Sequence, residues 1–168
     1  MPRDAPIFYL MNPRSEEARY YLDHLQLAAR DAGEQFVVLS ASSERDIDGA
    51  FAALAKKSAG ALIVSTDPFF VSRINQIVVL AAYNKIPAIY DRREAVVAGG
   101  LVSYGTHLVA AYRQMGAYTG EILKGAKPAD LPVLQPTTFE LVINLNTAKT
   151  LGLEVSPSLL SRADEVIE

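Results

Sequence analysis

Short apolar runs alternate along this chain with longer segments in which hydrophobic residues recur every three or four positions. Six of the runs predict strands, at residues 7–11, 36–39, 61–64, 86–90, 101–104 and 139–145. The periodicity between them is typical of amphipathic helices. Strands that alternate with helices imply βαβ crossovers, so we predict an α/β fold, a three-layer αβα sandwich with a parallel sheet.

Polar and small residues mark where the predicted helices begin and end. Ser15 and Ser43 stand at N-cap positions. Asp67 followed by Pro68 is a strong helix start, because the carboxylate caps free N–H groups and proline suits the first helical position. Gly33 ends the first helix. Near the other end of the chain, the Pro-rich connector "AKPADLPVLQP" leads to the last predicted strand, which a short helix and a polar tail follow.

Composition narrows the functional classes. The formal charge is −3, so nothing suggests an electrostatic attraction to nucleic acid. The chain has no cysteine, which excludes disulfides, thiolate chemistry and zinc ribbons, and we expect no metal at the isolated His24 and His107. The apolar run 77–82 is too short to cross a bilayer, and the N-terminal residues do not resemble a secretory signal.

Tests for enzyme motifs are negative. The chain has no G-x-G-x-x-G, no P-loop and no G-x-S-x-G spacing. A phosphoacceptor domain would use Asp67, which ends the third strand, but it would need acidic residues after the first strand to hold a cation. Asn12 and Pro13 occupy that position, so phosphoryl transfer would lack a charge stabiliser. We therefore expect a binding domain without catalytic residues or a cofactor.

Polar or aromatic residues follow four of the predicted strands. The carboxyl ends of parallel strands meet at one edge of a sheet, where α/β proteins bind ligands. The sequence therefore predicts a binding rim from four loops: Asn12–Ser15, Ser65–Pro68, Tyr90–Glu94 and Tyr104–His107.

Each candidate also has a purely structural interpretation. Asp67 is a helix cap alone, or a cap that also contacts ligand, and Asn12 is most simply a strand terminator. Tyr90 and Tyr104 either pack at strand ends or offer flat faces with polar tips to a small organic ligand. Phe69 lies off the apolar stripe of its helix and could point into a cleft. Phe70 lies on the stripe, so we expect it to belong to the core.

Several stretches carry a resemblance to a known family: "NPRSEEAR" (12–19), "AGALIVSTDPFF" (59–70), "IPAIYDRREAVVAGGLVSYGT" (86–106) and "AYRQMGAYTGEILKGAKPADLPV" (111–133). The chain resembles the C-terminal half of bacterial ABC transporter substrate-binding proteins, which have the type I periplasmic-binding-protein fold and include binders of tryptophan and other amino acids. The resemblance implies a Rossmann-like second lobe at residues 1–130 and a return segment at residues 131–168.

The resemblance also implies a function. Such proteins bind a small molecule in a cleft between two lobes, close on it and dock on a membrane permease. The ligand stays open among amino acids, small aromatics and other metabolites. Together with Phe69, which rests on the helical pattern, the matching positions predict these ligand-binding residues: Asn12, Pro13, Ser15, Asp67, Pro68, Phe69, Tyr90, Glu94, Tyr104 and Thr106.

The resemblance implies a periplasmic location, a signal peptide and a first lobe, and we expect this chain to depart from the family in having neither a signal peptide nor a first lobe. A single lobe cannot enclose a ligand, so we expect binding weakened by roughly 100-fold or more, and a homodimer through the exposed cleft or hinge surface. Two alternatives remain open: the ligand-sensing domain of a regulator with the same fold, and a flavodoxin-like small-molecule-binding domain.

Overall fold

The computed structural model describes residues 5–57, 59–135 and 137–168. One sheet of seven strands runs through the molecule in the order β2-β1-β3-β4-β5-β6-β7. The strands β1 to β7 are, in chain order, Ile7–Met11, Phe36–Ser40, Ala61–Val64, Ala88–Tyr90, Val102–Thr106, Phe139–Asn144 and Glu165–Ile167.

Eight α-helices are described between these strands. Helices α1 to α8 are, in chain order, Glu16–Asp31, Glu44–Lys56, Pro68–Ser72, Ile74–Tyr83, Arg93–Val97, Leu108–Leu123, Leu145–Thr150 and Pro157–Leu160. A 3-10 turn at Pro128–Asp130 lies in the Pro-rich connector. The predicted caps are confirmed: Ser15 accepts from the N–H of Ala18 at 3.1 Å, and Ser43 accepts from that of Asp46 at 3.2 Å.

The predicted α/β fold is confirmed, with one reversal in the sheet. Strands β1 to β5 are all parallel. Strand β6 runs antiparallel to β5, and β7 is parallel to β6. The reversal brings the starts of β6 and β7 to the edge at which β1 to β5 end, so this edge gathers residues from all seven strands.

The two faces of the sheet are covered unequally. On the first face, α2, α3, α4 and α5 pack on a large core that includes Phe8, Phe51, Phe70 and Ile77. On the second face, α1 covers a small cluster on β1 and β2, built around Tyr9 and other buried residues. The larger core is what fixes the strands, and hence the loops at their ends.

Three features differ from the sequence prediction. The helix predicted after Asp67 is two helices that meet at Arg73. The polar tail contains α8 and the edge strand β7. The periodic segment after β5 forms α6, but none of its residues is buried, unlike the amphipathic helix that its pattern predicts.

Candidate functional site

The carboxyl-end edge of the sheet contains a topological switch point between β1 and β3. The chain passes from β1 outward to β2, and then crosses back over β1 to β3. Loops that leave β1 and β3 therefore diverge to opposite faces, and the gap between them is where doubly wound sheets accept ligands.

Asn12 and Asp67 face each other across this switch point. The Asn12 amide Nδ2 lies 3.3 Å from each carboxylate oxygen of Asp67 and donates to them. The N–H of Phe69 donates to Asp67 Oδ1 at 2.8 Å, which is the predicted helix cap. Asp67 is only 5% exposed. The carboxylate thus joins two loops. Among the described residues its Oδ2 accepts only the 3.3 Å hydrogen bond from Asn12, so it can accept from a further donor.

The neighbours of this pair hold the loops in shape. Ser15 is occupied as the cap of α1, and its N–H donates to Asn12 O at 3.0 Å. Arg19 donates from its guanidinium to Pro13 O. Pro68 is exposed at the first position of α3. Phe69 is half-buried and packs against the large core, so one side of its ring is available at the edge.

The cap at Asp67 gives a stability prediction. Asp67→Ala removes the acceptor of the Phe69 N–H and the partner of the Asn12 amide, so we expect a loss of about 1 kcal/mol in the free energy of unfolding. Urea denaturation measures it. Ser43→Ala, which removes a comparable cap on α2, is the matched control and should cost a similar amount. An unchanged unfolding midpoint for Asp67→Ala would show that the cap contributes nothing.

A cavity of about 540 Å³ opens farther along the same edge, beyond β4. Two predicted residues, Glu94 and Thr106, line it. Phe139 and Glu140, at the start of β6, form its far side with the start of β7. The structure therefore divides the predicted residues other than the two tyrosines between two neighbouring places, the switch point and this cavity.

Two adjacent arginines line the cavity, and they differ in how firmly another side chain holds them. Arg93 binds Glu165 through two hydrogen bonds, from Nε at 2.6 Å and from Nη2 at 2.7 Å. Arg92 Nε is buried and has no hydrogen-bond partner among the described residues; Asp91 lies 3.5 Å away. Arg92 can therefore pair with an anionic group in the cavity.

The Arg93–Glu165 pair predicts a pH dependence. The hydrogen bonds from Arg93 hold the pKa of Glu165 below its ordinary value. A depressed folded-state pKa stabilises the fold above the unfolded-state pKa, about 4.3, and this contribution disappears as the pH falls through the folded-state value. We expect Glu165→Gln to lower the thermal midpoint at pH 7, with a difference from wild type that vanishes towards pH 2.

Thermal unfolding between pH 2 and 7 measures this effect. Because both partners are partly exposed, the effect should be small. Glu154→Gln, at an exposed position, should follow wild type throughout. A Glu165→Gln deficit of equal size at both ends of the range would contradict the ion-pair explanation.

The two predicted tyrosines lie away from the edge. Tyr90 is 3% exposed and belongs to the large core. Burial raises the pKa of its hydroxyl, which has no partner in the described part of the chain. Tyr104 is 57% exposed on the second face of the sheet, where its ring stacks on Phe139 at a centroid distance of 5.8 Å. Neither tyrosine side chain lies at the switch point with Asn12 and Asp67.

Sequence reasoning missed two features of the cavity. His107, treated as isolated, caps α6: its Nδ1 accepts from the N–H of Ala110 at 3.2 Å, and its Nε2 is 3.9 Å from Glu140. Arg92 was not among the predicted ligand-binding residues. The adjacent basic residues 92 and 93 were the available signal, but only the pairing of Arg93 with Glu165 distinguishes them.

Comparison with known proteins places this geometry in a family. The family model described as ABC transporter substrate binding protein matches residues 1–167. A curated relative, the tyrosine-binding protein of Clostridioides difficile, is 26% identical over 153 residues, which is 91% of this chain and 44% of the relative.

Two solved structures are similar to this chain over nearly its whole length. The ABC domain from Streptococcus pneumonia in complex with L-Trp has a TM-score of 0.86 and 26% identity, and covers 99% of this chain and 58% of its own. A conserved domain protein from Vibrio cholerae also has a TM-score of 0.86 and 26% identity, with 99% and 56% covered. The chain therefore spans about half the length of the proteins it matches.

Proposed function

The chain belongs to the ABC transporter substrate-binding protein family, and from this we propose that it is the second lobe of a solute-binding protein for amino-acid-like ligands. Residues 1–130 form the lobe and residues 131–168 the return segment. The protein works without catalysis, outside the cytoplasmic membrane, and delivers its ligand to a permease. None of the described helices is long and apolar enough to cross a membrane.

One observation carries this proposal: the carboxyl-end edge holds a carboxylate at a switch point beside a cavity lined by Arg92, which makes only a 3.5 Å ion pair with Asp91 among the described residues. Asp67 and Glu94 offer acceptors for an ammonium group. Arg92 offers donors for a carboxylate. A free amino acid carries both groups, and the half-buried Phe69 and the exposed Phe139 offer apolar surface to a side chain. The relatives whose names state a ligand bind tyrosine or L-Trp.

Titration with L-Trp tests the proposal directly. The chain contains no tryptophan, so ligand fluorescence reports binding without background. Arg92→Gln should weaken L-Trp binding by about 10-fold or more, since a charge-assisted hydrogen bond contributes about 1.5–3 kcal/mol. Tryptamine, which lacks the carboxylate, should bind wild type and the variant equally. Arg45→Gln, exposed on α2, is the matched control.

The same titration examines the second role of Asp67. Asp67→Ala and Ser43→Ala each remove one helix cap, so a difference in affinity between them reports ligand contact rather than stability. We expect a loss of affinity for Asp67→Ala alone. Equal affinities for the two variants would leave capping as the whole role of Asp67. Failure of every proteinogenic amino acid to bind would contradict the proposed ligand class.

A further inference from the structure

The ion pair between Arg93 and Glu165 forms part of the wall of the cavity beyond β4. Its two hydrogen bonds, from Nε and Nη2 to the two carboxylate oxygens, make it a bidentate pair, which is the strong form of this interaction. Arg93 begins α5, whereas Glu165 begins β7, 72 residues later in the chain. A residue close to the end of the chain therefore decides where this guanidinium group lies.

The cavity has arginines at two successive positions of its wall. Arg92 Nε has no hydrogen-bond partner in the described part of the chain, and the Arg93 side chain is still 42% exposed. Successive Cα atoms are about 3.8 Å apart, so two available guanidinium groups here would attract two carboxylates of one small ligand. Glu165 opposes this, because it occupies two of the Arg93 donor atoms that a ligand carboxylate would use and neutralises the charge.

Other acidic residues line the same cavity. Glu94 and Glu140 are both in its wall. Glu140 is 19% exposed, and the nearest cationic candidate, His107 Nε2, is 3.9 Å away, which is a weak contact. Asp164 is turned towards the backbone, where its Oδ2 accepts from an N–H group at 2.7 Å. A second carboxylate on a ligand would therefore meet anionic groups and an arginine that is already neutralised.

Helix α5 is held in place independently of the ion pair. Asn144 Nδ2 donates to Val96 O at 3.3 Å, and Thr147 Oγ1 donates to the carbonyl oxygen of Gly99 at 2.9 Å. Val96 is also fully buried. Loss of the ion pair should therefore release the Arg93 side chain into the cavity without moving the backbone that carries it.

We propose that Glu165 determines the specificity of the cavity. By holding Arg93, it leaves Arg92 as the arginine of the described wall that a ligand carboxylate can bind. The cavity then accepts amino acids that have one carboxylate and rejects those with acidic side chains. This inference deepens the proposed function, and its statement about amino acids rests on that function.

Simple carboxylates test this role of Glu165 without any amino acid. Glutarate has two carboxylates and butyrate has one, and amide chemical shifts of residues 92–94 in the ¹⁵N-labelled chain report the affinity of each. Wild type should not prefer glutarate. Glu165→Gln should raise the ratio of glutarate to butyrate affinity by about 10-fold, the smaller effect expected of one charge-assisted hydrogen bond. The same ratio in both proteins, or no shift with either compound, would overturn the proposal.

Two further variants separate release of Arg93 from a change in net charge. Arg93→Gln combined with Glu165→Gln has the net charge of wild type and should return the ratio to the wild-type value. Glu154→Gln changes the net charge as Glu165→Gln does, but at an exposed position outside the cavity wall, and should leave the ratio unchanged. A raised ratio in either of these variants would contradict the proposal.

Amino acids then connect the result to the proposed function. Glu165→Gln should favour L-Glu over L-Gln by about 10-fold more than wild type does. The two proposals fail separately. If the glutarate ratio changes as expected but no amino acid binds, the proposed ligand class is wrong. If L-Trp binds wild type but the glutarate ratio stays constant, the role of Glu165 is wrong.

Discussion

Gly105→Ala is expected to lower the free energy of unfolding by about 3 kcal/mol or more, at the upper end of the cost of overpacking. A Cβ at residue 105 would lie 1.9 Å from the carbonyl oxygen of Asp91. Carbon atoms in favourable contact are about 3.5–4.0 Å apart. Both partners are backbone, so no side-chain rotation relieves the overlap, and β4 and β5 must separate at the binding edge.

Urea denaturation of Gly105→Ala and Gly49→Ala gives the comparison. Gly49 lies inside α2, and a Cβ there would meet no atom within 4 Å. Gly49→Ala should therefore stabilise the protein by about 0.5–1 kcal/mol, through the better helix propensity of alanine. If Gly105→Ala unfolds at the wild-type midpoint, the close approach of residues 91 and 105 is wrong.

Phe70→Ala is expected to cost about 3–5 kcal/mol, the usual range for removal of a buried aromatic ring. Phe70 is 1% exposed and sits in the large core, three residues after the Asp67 cap. Its ring anchors α3, and α3 orients the loop that carries Asp67. The substitution should therefore weaken ligand binding as well as stability.

Phe69→Ala is the matched control, because it removes the same ring one position earlier. Phe69 is half-buried at the margin of the core, so we expect less than half the loss in unfolding free energy. Equal losses for the two variants would show that the assignment of one ring to the core and the other to the edge is wrong. Chemical denaturation of both variants under the same conditions decides this.

The switch-point residues could be predicted from the sequence because their local signals are strong. An apolar run that ends in Asn-Pro or Asp-Pro fixes both the end of a strand and the start of the next element. Parallel order then brings Asn12 and Asp67 to one edge. Their mutual hydrogen bonds were not predictable, since they depend on the side-by-side pairing of β1 and β3.

The burial of Tyr90 could not be predicted, because β4 is apolar throughout and its pattern does not show which residues face which side. Strand β7 was missed for a different reason. It has only three residues, and its contacts are tertiary: pairing with β6 and the bonds from Arg93 to Glu165. For α6, the periodicity predicts an amphipathic helix, but a pattern within one chain does not tell which surface its apolar side meets.

The proposed function requires an amino acid to bind at the carboxyl-end edge of the sheet. Amide chemical-shift mapping of the ¹⁵N-labelled chain with L-Trp and the other amino acids tests it most directly. The largest shifts should fall at that edge, at residues 12–15, 65–69, 92–94 and 106–107. Shifts confined to the opposite edge, at residues 33–35, 59–61 and 85–88, or no shift with any amino acid, would contradict it.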